Sequence, residues 1–121
     1  MTVRSFRDLD VWQQAMDLVT FVYRCSTVFP REETYGLTNQ VRRAAVSVPS
    51  NIAEGQGRRT TKEFLNHLSF ARGSLMEVQT QVEIARRLLY LKPEPAEELQ
   101  QTAASVCRLM NGLMNALERK L

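Results

Sequence analysis

Six basic side chains in the middle of the sequence could bind phosphate groups. Between residues 42 and 72 these six stand against two acidic residues, so this stretch carries a charge of +4. Residues 1–41 carry −1 and residues 73–121 are neutral, which accounts for the net charge of +3. Guanidinium and ammonium groups donate hydrogen bonds to phosphate oxygens and release condensed counterions. The candidate nucleic-acid-binding residues are Arg42, Arg43, Arg58, Arg59, Lys62 and Arg72.

Residues for other site chemistries are few. The chain has two cysteines, Cys25 and Cys107, and one histidine, His67, and none of them stands at the spacing of a metal-ligand motif. We therefore expect no metal ion and no cofactor. Both cysteines are expected to be reduced, buried apolar side chains.

Catalysis would need a base and a partner group. Glu54 could act as a base, but no second catalytic group stands at a readable distance from it. The preferred interpretation is that Glu54 closes the end of its helix, either through hydrogen bonds or through an ion pair with an arginine. We therefore expect no catalytic residues and no enzymatic activity.

Four segments must position these side chains. Apolar residues recur in them at intervals of three and four, which puts the apolar side chains on one side of an α-helix. Thr60 followed by Glu63 predicts a capping box at the start of the third segment, and Glu83 and Arg87 are spaced for an ion pair near its end. The predicted helices cover approximately residues 8–28, 34–54, 61–90 and 95–120.

The helices are joined by short connections rich in proline and glycine. Four helices of this length predict an all-α protein, an antiparallel up-and-down four-helix bundle that forms a single domain over residues 1–121. Pro49 lies inside the second helix and is expected to bend it, because proline removes one backbone donor.

The first and fourth helices carry more apolar surface than a monomeric bundle needs. The first helix has two apolar stripes, namely Leu9, Trp12, Met16, Val19 and Tyr23, and Val11, Ala15, Leu18, Val22 and Cys25. We expect a partly exposed surface that forms the interface of a homo-oligomer. The alternative is a bundle whose core is simply wide. The candidate interface residues are Trp12, Met16, Met110 and Met114.

The chain shows no sign of membrane insertion. Its longest apolar run has four residues, at Leu88–Leu91, and residues 1–5 lack the apolar stretch of a secretory signal. We therefore expect a cytoplasmic protein with no membrane partner.

Five stretches of the sequence carry a resemblance to a known family. They are residues 6–13 (FRDLDVWQ), 29–37 (FPREETYGL), 40–55 (QVRRAAVSVPSNIAEG), 57–58 (GR) and 71–77 (ARGSLME). Together they resemble the four-helix-bundle proteins encoded in intervening sequences of bacterial 23S rRNA genes. The accessory variability determinant of diversity-generating retroelements belongs to the same group.

The resemblance implies a small cytosolic bacterial protein that assembles as a homopentamer, with five bundles around a central channel. It also implies nucleic-acid binding through basic surface residues, without catalysis by the protein. Arg42, Arg43 and Arg58 match basic positions of the family pattern. In the retroelement branch the partners are a reverse transcriptase and structured RNA.

Two functions follow from these observations. The first is a non-enzymatic homo-oligomer that contacts the phosphates of RNA or DNA. It would not read the base sequence, because neither a recognition helix nor an aromatic stacking platform is evident. The alternative is an oligomeric protein-interaction scaffold with no nucleic-acid role. The salt dependence of binding distinguishes the two functions, because phosphate binding weakens steeply as the salt concentration rises.

Overall fold

The computed structural model describes residues 5–121, in which all regular structure is helical. The expectation about a secretory signal concerns residues 1–5 and falls almost wholly outside this range. Two 3-10 turns, Phe6–Asp8 and Arg31–Glu33, precede the first and second α-helices. The four α-helices are α1 (Asp10–Ser26), α2 (Leu37–Gln56), α3 (Thr61–Arg87) and α4 (Pro93–Glu118).

The helices form an up-and-down bundle, as predicted. Each helix packs against the next one along the chain, and α4 packs against α1, which closes the ring. Contacts between α2 and α3 run in opposite directions along the two helices. Ser47 meets Ser74, whereas Asn51, one turn further along α2, meets His67, two turns earlier on α3. The fold is therefore all-α and antiparallel.

One of the two apolar stripes of α1 fills the core. Val11, Ala15, Leu18 and Val22 are buried between the four helices. The other stripe lies on the outside, next to α2, where Met16 is 38% exposed. The core therefore buries one stripe fully and the other only in part, with Leu9, Trp12 and Val19 half-buried against its edge, because a helix in a four-membered ring faces the centre with only part of its circumference.

Met110 and Met114 do not lie on the surface, so their prediction as interface residues is wrong. Met110 is 0% exposed and Met114 is 8% exposed. Both continue the buried stripe of α4 between Val106 and Leu117, where flexible thioether side chains fill the space between the helices. The additional apolar width of α4 comes from half-buried side chains that pack against the core, including Cys107.

The end of α3 comes earlier than the periodicity indicated. The helix stops at Arg87 because Leu89 adopts a left-handed backbone conformation, with φ of 65°. The amide of Leu89 donates to the carbonyl of Arg86, and that of Tyr90 to the carbonyl of Ala85. This is a Schellman motif, in which glycine usually occupies the position of Leu89.

The start of α3 has half of the predicted capping box. The Thr60 hydroxyl accepts a hydrogen bond from the Glu63 amide at 3.1 Å, as expected. The Glu63 carboxylate accepts from that hydroxyl at 3.0 Å rather than from the backbone. Near the other end of α3, Glu83 pairs with Arg87 as predicted.

Three smaller expectations concern Pro49, the two cysteines and membrane insertion. Helix α2 continues through Pro49 as one element, with the proline ring buried. Cys25 and Cys107 are free thiols, but both are half-buried rather than fully buried. Within residues 5–121, no helix has the length and apolarity that crossing a membrane requires.

Candidate nucleic-acid interface

The six basic residues predicted from the sequence lie on three different sides of the bundle. Arg42 faces α1, where its Nε donates to the Ser26 hydroxyl at 2.7 Å and its Nη2 to the Tyr23 carbonyl at 3.3 Å. Its guanidinium group also lies over the Tyr23 ring, 4.6 Å from the centroid. Arg42 therefore fastens the end of α1 to α2.

Arg72 lies on the side of α3 that faces α4. Its Nη1 donates to the Asn111 side-chain oxygen at 3.2 Å, which joins the two helices. Arg42 and Arg72 thus stabilise contacts between helices on different sides, and the structure does not bring them together with the other four basic residues.

Arg43, Arg58, Arg59 and Lys62 share the outer side of the α2–α3 hairpin, which we call the α2–α3 face. Arg43 lies in the first half of α2, Arg58 and Arg59 lie in the loop after it, and Lys62 lies in the first turn of α3. At about 1.5 Å per residue, Arg43 and Arg58 stand roughly 22 Å apart along the face. The basic side chains therefore mark the two ends of one elongated surface.

Three of these four cations have no acidic partner among the residues that the structure describes. Within residues 5–121, no carboxylate lies within 4.0 Å of the charged nitrogens of Arg43, Arg59 or Lys62, and all three side chains are exposed. Arg58 pairs with Glu54 at 2.7 Å, which is the arginine pair expected for that glutamate. The three cations without an acidic partner can approach an external anion without first breaking an ion pair.

A groove of about 320 Å³ lies between α2 and α3 at the Arg43 end of this face. Most of its lining side chains are polar, and the Gln81 side-chain oxygen is buried without a hydrogen-bond partner in the described part of the chain. Glu77 lines the same groove, so the α2–α3 face is only modestly positive. The lining residues are Gln40, Arg43, Ala44, Ser47, Ser74, Glu77 and Gln81.

A chain of polar contacts continues from this groove towards Arg58. The Ser74 hydroxyl donates to the Ser47 hydroxyl at 2.9 Å, and Asn51 Nδ2 donates to the Ser47 carbonyl at 2.9 Å. His67 Nδ1 lies 3.4 Å from Asn51 Oδ1 and 4.0 Å from Glu54 Oε2. Sequence reasoning missed this network, although Ser47, Asn51 and Gly55, spaced four residues apart on one side of α2, signalled a close approach of α2 to another helix.

A second groove, between α1 and α2, is apolar. It encloses about 360 Å³ and contains Trp12 and Met16, the two predicted interface residues that do reach the surface. Phe6 and Val46 also line it and were missed, because only the fold places them beside α1. The other lining residues are Val19, Pro49, Ser50 and Ala53.

Known proteins resemble this chain in sequence and in fold. The 23S rRNA-intervening sequence protein family matches it over residues 7–112. A solved structure of a protein of unknown function from the S23 ribosomal protein family of Bacteroides thetaiotaomicron has a similar fold, with a TM-score of 0.78. The two chains are 18% identical over 86% of this chain and 97% of the other. None of the curated proteins matches this chain. Because the family match spans most of its length, the chain belongs to the 23S rRNA-intervening sequence protein family.

Proposed function

We propose that this protein binds the phosphate backbone of RNA or DNA through its α2–α3 face, as an assembly of identical subunits and without catalysing a reaction. The observation that carries the proposal is the set of exposed cations on this face that have no acidic partner in the described part of the chain, namely Arg43, Arg59 and Lys62. The name of the family, which refers to an intervening sequence of 23S rRNA, is consistent with an RNA partner.

The spacing of the cations suits a polymer better than a single anion. Arg43 and Arg58 stand roughly 22 Å apart along the α2–α3 face, so one strand could contact both through different phosphates. Contacts of this kind fix the position of a nucleic acid and carry no sequence information. Because the face is only modestly positive, binding by one subunit should be weak at physiological salt.

Self-association would strengthen this weak binding. We propose that a second copy of the chain covers the apolar α1–α2 groove around Trp12 and Met16. Helix α2 separates this groove from the α2–α3 face, so assembly would leave the cations uncovered. Repeated α2–α3 faces on one particle raise the effective concentration of binding sites. The assembly proposed is the homopentamer that the family resemblance implies.

The test is a charge-removing double variant with a matched control. Arg59→Ala with Lys62→Ala removes two cations from the α2–α3 face, and Arg31→Ala with Lys92→Ala removes two exposed cations at the opposite end of the bundle. Fluorescence anisotropy of labelled RNA and duplex DNA is measured at roughly 50 and 200 mM salt. The first variant should lose affinity. The slope of its log K plotted against the logarithm of the salt concentration should become shallower by about 1 to 2.

The control variant should bind like the wild-type protein. An equal loss in both variants would mean that net charge alone, and not this face, attracts the nucleic acid. Wild-type protein that binds neither RNA nor DNA at low salt would overturn the proposed function.

A protein-interaction scaffold is the second candidate function, and one observation favours it. Val28, Tyr35, Leu88 and Leu89 are exposed in the two loops at one end of the bundle. Leu89 is 89% exposed and has φ of 65°, so its conformation costs about 1–2 kcal/mol that glycine would avoid. A partner protein held there would bind almost independently of salt, which the same titration would reveal.

A further inference from the structure

Phe70 is a large aromatic side chain that the fold leaves in solvent. It lies on the outer side of α3 and is 64% exposed. Its ring packs edge-on against His67, with the centroids 6.1 Å apart and the planes at 84°. The bundle therefore supports one edge of the ring and leaves much of the rest accessible.

The surroundings of Phe70 are polar, unlike those of an apolar protein interface. Lys62, Asn66 and Phe70 are four residues apart and share one side of α3. Ser74 and Glu77 follow Phe70 on the same side, one and two turns later. The apolar α1–α2 groove lies elsewhere on the bundle. Phe70 lies between the α2–α3 groove and the basic end of the α2–α3 face.

Gly73 leaves bare backbone beside this ring. It lies one turn after Phe70 in the interior of α3, where glycine is less stable than alanine by about 0.5–1 kcal/mol. A Cβ atom built on Gly73 would meet nothing within 4 Å, so packing within the subunit does not require a glycine here. An open patch beside an exposed ring is the shape that a flat ligand needs.

We propose that Phe70 and Gly73 form a stacking platform for an unpaired base of a single-stranded nucleic acid whose phosphates contact Lys62 and Arg43. This inference rests on the proposed function and narrows its ligand to strands with unstacked bases. Every base presents a π face, so such a platform binds without sequence preference. The chain thus has an aromatic platform that its sequence pattern did not reveal.

The test compares two strands that have the same phosphates. One is a labelled single-stranded RNA of roughly 12 nucleotides, and the other has the same backbone with abasic sugars throughout. Wild-type protein should bind the strand with bases between about fivefold and a hundredfold more tightly. Phe70→Ala should lose this preference and keep its affinity for the abasic strand, whereas Tyr35→Ala, at an exposed aromatic in the α1–α2 loop, should keep both.

A pair of glycine variants tests the platform independently of the ring. Gly73→Ala should raise the melting temperature and still weaken binding of the strand with bases at least severalfold. Gly112→Ala is the matched control, because it is an exposed glycine in α4 whose Cβ would also meet nothing within 4 Å. It should raise the melting temperature to a similar extent and leave binding unchanged.

The possible failures are distinguishable. Equal binding of both strands by the wild-type protein would overturn the platform and leave phosphate binding standing. Binding of neither strand would overturn the proposed function together with the platform. A lower particle mass for Phe70→Ala in light scattering would assign Phe70 to a contact between copies of the chain and overturn the platform.

Discussion

At the scale of single residues, Arg42 and Arg43 are neighbours in sequence with different surroundings. Successive residues in an α-helix point about 100° apart, so Arg42 reaches α1 and Arg43 reaches the groove beside α3. Arg42 joins two helices through Ser26 and Tyr23, whereas Arg43 has no carboxylate partner in the described range. Charge counted along the sequence therefore overestimates what any one face of the bundle offers to an anion.

A single carboxylate, that of Glu83, makes the stability of the fold depend on pH. Hydrogen bonds from Arg86 and Arg87 to its carboxylate lower the pKa of Glu83 from 4.5 to about 2. Because this pKa is lower in the folded state, the carboxylate stabilises the fold above pH 4.5, and the contribution is lost as the pH falls towards 2. The melting temperature of the wild-type protein should therefore fall more steeply over this range than that of Glu83→Gln.

The control for this prediction is Glu118→Gln, which removes a carboxylate that is exposed and forms no ion pair within residues 5–121. Its melting temperature should follow that of the wild-type protein from pH 4.5 to 2. Parallel curves for the wild-type protein and Glu83→Gln would show that the two arginines do not stabilise the end of α3 in solution.

At the scale of elements, the close approach of α2 and α3 places the basic loop. Gly55 is buried near the end of α2, and a Cβ there would lie 2.7 Å from His67 Cβ and 3.0 Å from Phe64 Cδ1. Only a residue without a side chain lets the two backbones come this close. The short loop that follows then holds Arg58 and Arg59 beside Lys62.

Gly55→Ala should therefore destabilise the protein, by about 1–3 kcal/mol, because α2 and α3 must separate to admit the methyl group. Urea unfolding followed by circular dichroism measures the change. Gly112→Ala provides a control of opposite sign, with an expected gain of about 0.5–1 kcal/mol, because nothing lies within 4 Å of its Cβ. Equal stability of the two variants would show that the helices do not pack this closely.

At the scale of the whole molecule, the two grooves beside α2 differ in character. The groove shared with α1 is apolar, and the groove shared with α3 is lined mainly by polar side chains. In the proposed assembly, subunits associate through the first and present the second to solvent. This division would give one particle several equivalent α2–α3 faces, and therefore avidity for a long strand.

Met16→Glu should dissociate this assembly, because a carboxylate would have to be buried without a partner. Light scattering should then give the mass of one subunit, 13.9 kDa, with an unchanged helical circular dichroism spectrum. Ile84→Glu is the matched control, since Ile84 on α3 is 42% exposed, close to the exposure of Met16, and lies outside the apolar groove. A wild-type protein that is itself monomeric would contradict the proposed self-association.

The sequence predicted the bundle well and the site only in part. Apolar periodicity identified four helices, because burial on one side of a helix requires that spacing whatever the neighbours are. The end of α3 could not be read in this way, since Leu88, Leu89 and Leu91 continue an apolar pattern although Leu89 has left the helix. Periodicity identifies apolar residues without distinguishing a helical backbone from a turn.

The sequence by itself determined the four helices, their order and the family to which the chain belongs. The tertiary structure alone decided which stripe of α1 is buried and which side each arginine faces. It also determined that Met110 lies in the core and that Phe70 is exposed to solvent. The physical reason is that spacing along a helix determines which side chains share a side, whereas packing between helices determines which of those sides are covered.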